Sequence, residues 1–298
     1  MSDAGSRARL ALGAVQFGLA YGVTNAAGQT PPAEVDAILH AARRAGLDTV
    51  DTAAAYGASE EVLGRTPGLS GFRVVTKTVP LRRSEIDAED VVIVREGFRR
   101  SLERLGRPQV DSLLVHQAYD LLAPGGDRLW AFLEGEKAAG RVRRIGASVY
   151  GRDDIKQLLE RYPVEVVQLP LSALDQRLLR DGSLALLRRR GVAVHARSLF
   201  LQGLLLQPSA SPLTSSSATR ALARWDEACR AAGVTRLEAA LGFAKATTEI
   251  ERAVIGVQSA EQFAAGVAAW DAGAALDWGH LACDDADLLD PRLWPARG

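Results

Sequence analysis

The stretch Asp51-Thr52-Ala53-Ala54-Ala55-Tyr56-Gly57 follows a short apolar run and precedes Ala58-Ser59-Glu60-Glu61, which is typical of a helix start. It places a carboxylate and a phenol where a strand ends and a loop begins. Lys77 and His116 end two later apolar runs in the same way. In a parallel α/β barrel the carboxyl ends of the strands face one mouth, where active sites lie. These four side chains therefore predict a barrel with a polar site at its mouth.

Short apolar runs alternate with amphipathic stretches along most of the chain, which is the pattern of repeated βα units. The predicted strands are 9–15, 48–51, 72–77, 111–116, 143–148, 164–169, 192–197 and 252–256. A (β/α)8 unit typically needs about 250 residues, and the chain has 298. We therefore predict the α/β class, as a (β/α)8 TIM barrel in a single domain over residues 1–298.

Three helices are clear in the gaps between these strands, at 32–45, 88–105 and 127–139, and each is ended by a glycine. Proline and serine interrupt the alternation at 207–217, which predicts a long surface loop after the seventh strand. After about residue 271 the pattern becomes irregular. We expect this tail to lie across the outside of the barrel.

The composition excludes several classes of protein. Hydrophobic residues make up 47% of the chain and charged residues 24%, as in a globular protein with a large core. Lys plus Arg and Asp plus Glu number 36 each, so there is no net field to attract nucleic acid or an anionic membrane. The two cysteines, Cys229 and Cys283, lack metal-ligand spacing and predict no metal site. We expect a reduced, cytoplasmic protein with no membrane-spanning segment.

The four strand-end residues suit the chemistry of a carbonyl group. A buried lysine needs a partner, and Asp51 is a natural one for Lys77. An ammonium near a phenol stabilises the phenolate, which makes Tyr56 a usable general acid. His116 can then orient a carbonyl oxygen while a hydride arrives at its carbon. Each residue taken alone also has an ordinary structural explanation, so the prediction depends on all four occurring together.

The sequence resembles the aldo-keto reductases. The matching segments run in order along the chain and are Leu12-Gly13, Gln16-Phe17-Gly18, Asp51-Thr52-Ala53, Tyr56-Gly57, Ser59-Glu60, Lys77, Asp111 to His116, and Gly140 to Ser148. The resemblance implies a (β/α)8 barrel with NADPH (or NADP) bound across its mouth. It also implies a catalytic tetrad of Asp51, Tyr56, Lys77 and His116, with Tyr56 as the proton donor to a small carbonyl substrate.

The same resemblance implies a set of cofactor-binding residues at the nicotinamide end. Gly13 belongs to the matching segments, and Ser148 and Gln168 correspond to polar groups that hold the nicotinamide carboxamide. Arg197 stands where the family usually has an aromatic residue stacked on the nicotinamide ring, and a guanidinium plane can stack as well. Gly203 corresponds to the pyrophosphate loop, where a missing side chain permits close approach of the backbone.

At the adenosine end the chain departs from the family pattern. The segment around Gly256, Gln258, Ser259 and Gln262 resembles the start of the family's last barrel helix, where the adenosine 2′-phosphate binds. Glutamines replace the expected cations at Gln258 and Gln262, so strong selection of NADP over NAD is not implied and NAD is possible. Arg252 and Arg220 are the cations we consider as replacements.

Two alternatives to a carbonyl reductase follow from the same residues. Lys77 can be interpreted as the Schiff-base nucleophile of a lyase or aldolase, although pairing with Asp51 argues against this. A barrel that binds nicotinamide as a redox sensor or regulatory subunit is compatible with the altered adenosine end. For the substrate pocket, the aromatic candidates are Phe17, Tyr21, Tyr119, Tyr150, Phe200 and Trp278.

Overall fold

A computed structural model describes residues 3–207 and 216–294. Within them, eight parallel strands close into a barrel in which each strand pairs with the next along the chain and the last pairs with the first. The strands are β1 (Leu10–Gly13), β2 (Thr49–Asp51), β3 (Arg73–Lys77), β4 (Val110–Val115), β5 (Val142–Ser148), β6 (Val166–Pro170), β7 (Ala193–Arg197) and β8 (Arg252–Gly256). The predicted (β/α)8 class is confirmed, and no predicted strand end is more than two residues from the observed one.

Helices surround the barrel, and all but the first and the last three lie between successive strands. They are α1 (Asp3–Arg7), α2 (Pro32–Arg44), α3 (Ser59–Arg65), α4 (Ala88–Leu105), α5 (Ala118–Leu122), α6 (Gly126–Ala138), α7 (Arg152–Arg161), α8 (Arg177–Arg180), α9 (Ser183–Arg189), α10 (Ser216–Ala232), α11 (Arg236–Ala246), α12 (Ala260–Ala272), α13 (Trp278–Leu281) and α14 (Ala286–Leu289). No helix in these two ranges has the length and apolar character needed to cross a membrane.

Helix α4 shows how local sequence sets these elements. The Asp87 carboxylate accepts a hydrogen bond from the Asp90 amide, and Asp90 returns one to the Asp87 amide, which fixes the start of the helix. Val94, Phe98 and Leu105 form the buried stripe of α4. The helix ends at Gly106, whose φ of 62° is left-handed.

A small apolar cluster fills the barrel beneath the mouth. Val75, Leu114 and Val166 are fully buried there, separate from the main core between strands and helices. Side chains two residues apart on a strand point to the same face. Lys77 and Gln168, each two residues beyond a member of this cluster, therefore enter the interior just above it.

The tail after α12 packs against the loops near the mouth. The Cys283 amide donates to the Leu174 carbonyl over 2.9 Å, and the Gln176 amide donates to the Trp278 carbonyl. Farther along, Arg292 lies over the ring of Tyr150. The predicted surface loop at 207–217 falls on residues 208–215 for the most part, which lie outside the described ranges.

Candidate active site

One cavity of about 550 Å³ opens at the carboxyl ends of the strands. Of the predicted site residues, it gathers Gly13, Asp51, Tyr56, Lys77, His116, Ser148, Gln168, Arg197, Gly203, Gly256, Gln258 and Gln262. Ser259 does not line it, and instead accepts a hydrogen bond from the Gln262 amide at the start of α12. The described residues hold no cluster of His, Cys, Asp and Glu suited to a metal ion.

Lys77 and Asp51 form a buried ion pair at the base of the cavity. Their side chains are 1% and 5% exposed, and Nζ lies 2.7 Å from Oδ1. The Lys77 ammonium also donates to the Thr52 carbonyl over 2.9 Å. Burial alone would lower the pKa of Lys77, but Asp51 and Tyr56 outweigh it and raise that pKa above its usual value. An ammonium held in its charged form is a poor nucleophile, which argues against the Schiff-base interpretation.

Tyr56 lies between this pair and His116. Lys77 Nζ is 4.9 Å from the centre of the Tyr56 ring, and the His116 ring meets that ring edge-on at 5.9 Å. Burial, Lys77 and Arg197 together lower the pKa of His116 to about 4. The imidazole is therefore neutral at neutral pH and offers one donor and one acceptor nitrogen. Its Nδ1 is buried without a hydrogen-bond partner.

Two loops hold Tyr56 in place through glycines. A Cβ on Gly18 would lie 1.9 Å from the Tyr56 carbonyl oxygen, so the loop after β1 packs directly on the Tyr56 backbone. Gly57 has a φ of 55°, and a Cβ there would lie 2.4 Å from the Gly18 carbonyl oxygen. Beneath them, the Ser59 hydroxyl donates to the Ala14 carbonyl over 2.7 Å. The segments Gln16-Phe17-Gly18 and Tyr56-Gly57, which are separate in the sequence, thus pack directly against each other.

Gln168 has a contact that the sequence did not predict. Its Nε2 donates to Asp51 Oδ2 over 2.6 Å, so Asp51 is bonded through both oxygens. Gln168 Oε1 is buried without a partner. It is an acceptor facing the groups of this cavity, and Ser148 on β5 is its neighbour in register. These residues fit a carboxamide, because its amide nitrogen can donate to the unpartnered Oε1.

Arg197 ends β7 and stacks on a protein side chain. Its guanidinium carbon lies 4.4 Å from the centre of the Tyr150 ring, and Arg292 lies 3.6 Å from the same ring. Tyr150 also lines the cavity. Stacking of Arg197 on the nicotinamide ring remains a prediction, because the stack observed is with Tyr150.

The loop after β7 carries Gly203 where the resemblance predicted it. Gly203 has a φ of 93°, and a Cβ there would lie 2.0 Å from Thr24 Oγ1. The position therefore needs glycine for packing against the loop after β1, and its contact with a pyrophosphate stays a prediction. Gly256 also leaves no room for a side chain, because a Cβ there would lie 2.7 Å from Gln16 Oε1. Gln16 Oε1 is itself buried without a partner and lines the cavity.

The predicted adenosine end carries neutral groups that line the cavity and, behind them, an acidic one. Gln258 Nε2 donates to Asn25 Oδ1 over 2.7 Å, and the Gln258 amide donates to Gln262 Oε1 over 2.9 Å. The Ala260 amide, at the start of α12, donates to Glu34 Oε1 over 2.6 Å. The Ala260 and Gln262 amides of this helix thus already have acceptors, and that of Ala260 is a carboxylate from α2. Nothing in the sequence marks Glu34, since a glutamate in the first turn of a helix is ordinary.

Of the two replacement cations, Arg252 is not in a position to help at this end. Arg252 begins β8 at the opposite rim of the barrel, where its Nε donates to Thr49 Oγ1 over 3.2 Å. That suggestion was wrong, because β8 runs from this rim toward the mouth. Arg220 is exposed on α10 and does not line the cavity.

The aromatic candidates divide into two groups. Tyr21, Tyr150 and Phe200 line the cavity, as predicted. Phe17 is fully buried in the core, and Trp278 packs edge-on against Phe243 at 5.7 Å. Tyr119 is 54% exposed and does not line the cavity.

The chain is similar to known aldo-keto reductases along most of its length. A family model described as the aldo/keto reductase family matches residues 9–277. An aldo-keto reductase of Mycobacterium sp. (strain KMS) is 34% identical over 209 residues, which cover 66% of this chain and 71% of that protein. An L-galactose dehydrogenase of Arabidopsis thaliana is 30% identical over 259 residues, covering 80% and 79%.

Two further proteins are similar to this chain. An NADH-specific methylglyoxal reductase of Escherichia coli (strain K12) is 30% identical over 190 residues, 57% of each chain. An aldo-keto reductase from Bacillus halodurans, solved in its holo form, superposes with a TM-score of 0.71 at 19% identity. The superposition covers 96% of this chain and 93% of that one, and it supports the barrel fold.

Proposed function

Because the chain belongs to the aldo/keto reductase family, oxidoreductases that act on carbonyl compounds, we propose that it reduces an aldehyde or ketone to an alcohol, with hydride from a reduced nicotinamide dinucleotide. The observation that carries the proposal is the convergence of Asp51, Tyr56, Lys77 and His116 in one cavity. Those four groups can supply the acid that the carbonyl oxygen needs, and the same cavity offers Gln168 and Ser148 to hold a hydride donor.

Tyr56 is the proton donor in this proposal. Lys77, kept charged by Asp51, stabilises the negative charge that forms on the phenol oxygen as the proton leaves. A neutral His116 donates a hydrogen bond to the carbonyl oxygen and adds no competing positive charge. A reduced nicotinamide, when bound, supplies the hydride. Gln168 and Ser148 are the residues that would hold its carboxamide.

NADH is the cofactor that this site favours. A 2′-phosphate at the start of α12 would meet the Glu34 carboxylate and the neutral Gln258, whereas a free 2′-hydroxyl can donate to a carboxylate. Like charges at close range repel, and phosphate usually needs charge-assisted bonds. The NADH-specific relative of Escherichia coli is in line with this preference.

The test combines binding with turnover. Purified protein is titrated with NADH and NADPH by fluorescence, and oxidation of each is then followed against aldehydes, keto-sugars and keto-acids. We expect NADH to bind more tightly, and Tyr56→Phe to lower kcat by about 10²–10⁴-fold with an unchanged Kd for the cofactor. Failure of both cofactors to bind below millimolar concentration, or full turnover by Tyr56→Phe, would refute the proposal.

A further inference from the structure

The cavity carries one charge that the protein does not neutralise. Its charged lining residues are Asp51, Lys77 and Arg197, and the first two pair with each other at 2.7 Å. Within residues 3–207 and 216–294, no Asp or Glu lies within ion-pair distance of Arg197. The cavity therefore has a net positive charge, located on Arg197.

The hydrogen bonds of Arg197 leave most of its capacity unused. Nη1 donates to Ser198 Oγ and Nη2 to the Val149 carbonyl, each over 3.3 Å. Both acceptors are neutral and both bonds are long. A guanidinium has five N–H donors in a planar fork that matches a carboxylate. Arg197 can thus take up an anion without breaking an ion pair.

Stacking holds this guanidinium in a fixed plane. Arg197 lies on the Tyr150 ring, and Arg292 from the tail lies on the same ring. The two cations differ in one respect, because Arg292 is paired with Asp290 through Nη2 and Oδ2 at 2.6 Å. Arg292 therefore adds no uncompensated charge beside the ring.

Arg197 lines the same cavity as Tyr56 and His116, and the predicted stacking on the nicotinamide ring would also place its guanidinium at this reacting end. It is close enough to His116 to act on it electrostatically, and it shares this region with Tyr21 and Tyr56. The phosphates of a dinucleotide are expected at the other end, near Gly203 and the start of α12. An anion at Arg197 is thus one that belongs to the substrate.

We propose that Arg197 binds a carboxylate of the substrate, so that the protein reduces carbonyl compounds that also carry an acid group. This inference rests on the proposed reductase function. It makes Arg197 a residue that determines substrate specificity, with Tyr150 as the residue that positions its guanidinium.

The test uses pairs of aldehydes that differ in charge and hardly in shape, namely 4-formylbenzoate against 4-formylbenzamide and 4-oxobutanoate against 4-oxobutanamide. For each pair, the ratio of kcat/KM for the acid to kcat/KM for the amide is measured with saturating NADH. We expect this ratio to exceed one for the wild type and to fall about 10–100-fold in Arg197→Met. Any loss common to both substrates cancels in the ratio.

Arg292→Met is the matched control, because it removes a guanidinium from the same ring but not from the cavity. We expect its acid-to-amide ratio to stay near the wild-type value. Arg197→Lys keeps the charge without the planar fork and should give an intermediate ratio. A wild type without preference for the acids, or an equal fall of the ratio in Arg292→Met, would overturn the inference.

A binding measurement separates this inference from the proposed function. Calorimetric titration with 4-hydroxymethylbenzoate, the alcohol product, needs no turnover. Arg197-dependent binding of this anion in a protein that reduces no carbonyl would refute the reductase proposal and support the anion site. Turnover of the amides at the rate of the acids, with no Arg197-dependent binding, would support the reductase proposal and refute the anion site.

Discussion

The side-chain amide of Gln168, on β6, donates to the carboxylate of Asp51, on β2, over 2.6 Å, so two strands on opposite sides of the barrel meet through their side chains. Because Lys77 occupies the other oxygen of Asp51, this hydrogen bond completes the environment of the carboxylate. It links a predicted cofactor residue to a predicted catalytic one, and it leaves Gln168 Oε1 as an acceptor.

Gln168→Met should weaken both the fold and the site. The substitution removes a hydrogen bond to a buried charged group, which stabilises a protein by about 1.5–3 kcal/mol. We expect the free energy of unfolding in urea to fall by about that amount and the Kd for NADH to rise. Gln168→Glu places a second carboxylate beside Asp51 and should be worse than Gln168→Met. Equal stability of Gln168→Met and the wild type would show that the bond contributes nothing.

Lys77→Met should be strongly destabilising as well as inactive, because it leaves the Asp51 carboxylate buried without its partner. Breaking a buried pair in this way costs about 3–5 kcal/mol. The double variant Asp51→Asn/Lys77→Met should recover part of that stability but no activity. Lys137→Met, which removes a partly exposed pair with Glu165 at 2.5 Å, is the control and should cost less than about 1 kcal/mol. Urea unfolding of the wild type and the three variants tests this prediction. Similar losses of stability in Lys77→Met and Lys137→Met would contradict it.

His116 should remain neutral throughout the pH range in which enzymes are usually assayed. Burial, Lys77 and Arg197 hold its pKa at about 4, so its C2 proton should not shift in NMR spectra between about pH 8 and 5.5. The chain has four histidines, and the resonance is identified by its loss in His116→Gln. Arg197→Met removes a nearby cation and should move the His116 midpoint upward. A midpoint near the ordinary value of about 6.5 in the wild type would refute this account.

Glu34→Gln should relax discrimination against NADPH. The change removes the negative charge at the start of α12 and keeps the shape of the side chain. We expect the Kd for NADPH to fall by roughly 5–20-fold, as for removal of a close like charge, with a much smaller change for NADH. Glu89→Gln, in the first turn of α4 and away from the cavity, is the matched control. Fluorescence titrations of both variants with NADPH and NADH test this prediction. Unchanged NADPH binding in Glu34→Gln would contradict the role proposed for Glu34.

Glu251, at the rim opposite the active site, should make stability depend on pH. The contacts with His195 at 3.5 Å and with Arg144 at 3.0 Å lower the pKa of Glu251 from 4.5 to about 2. A carboxyl whose pKa is lower in the folded state contributes stability above its unfolded pKa and loses it as the pH falls. Since this carboxyl is partly exposed, we expect Glu251→Gln to cost about 1–2 kcal/mol at neutral pH and less at about pH 3. A cost that is independent of pH would argue against an ionised Glu251 in the network.

The fold was predictable because its signals are local. Glycine ends such as Gly106 and the strand-end polar residues Asp51, Lys77 and His116 follow short apolar runs in the sequence. The sequence predicted the last residue of a strand less well where a helical turn follows the strand directly. β1 ends at Gly13 and not at 15, because a turn of 3-10 helix begins at Val15.

The site was predictable at the level of its strands but not of its long-range contacts. The partners of Gln168 and Ala260 are 117 and 226 residues away in the chain, and no spacing rule indicates such pairs. Arg252 shows the opposite error, since a cation near a predicted site in sequence lies at the far rim of the barrel. Arg252 begins β8, so the direction of the strand places it at the rim away from the mouth. Closeness in sequence to the predicted site does not indicate this position.

The contact between Gly18 and the backbone of Tyr56 restricts how new substrate pockets can be engineered on this barrel. A side chain at Gly18 would displace Tyr56, the proposed proton donor, so the loop after β1 cannot be exchanged alone. A graft from another barrel would need to carry the loops after β1 and β2 together as one cassette. Diversification of this pocket is more readily directed to the loop after β5 and to the tail, where Tyr150 and Arg292 lie.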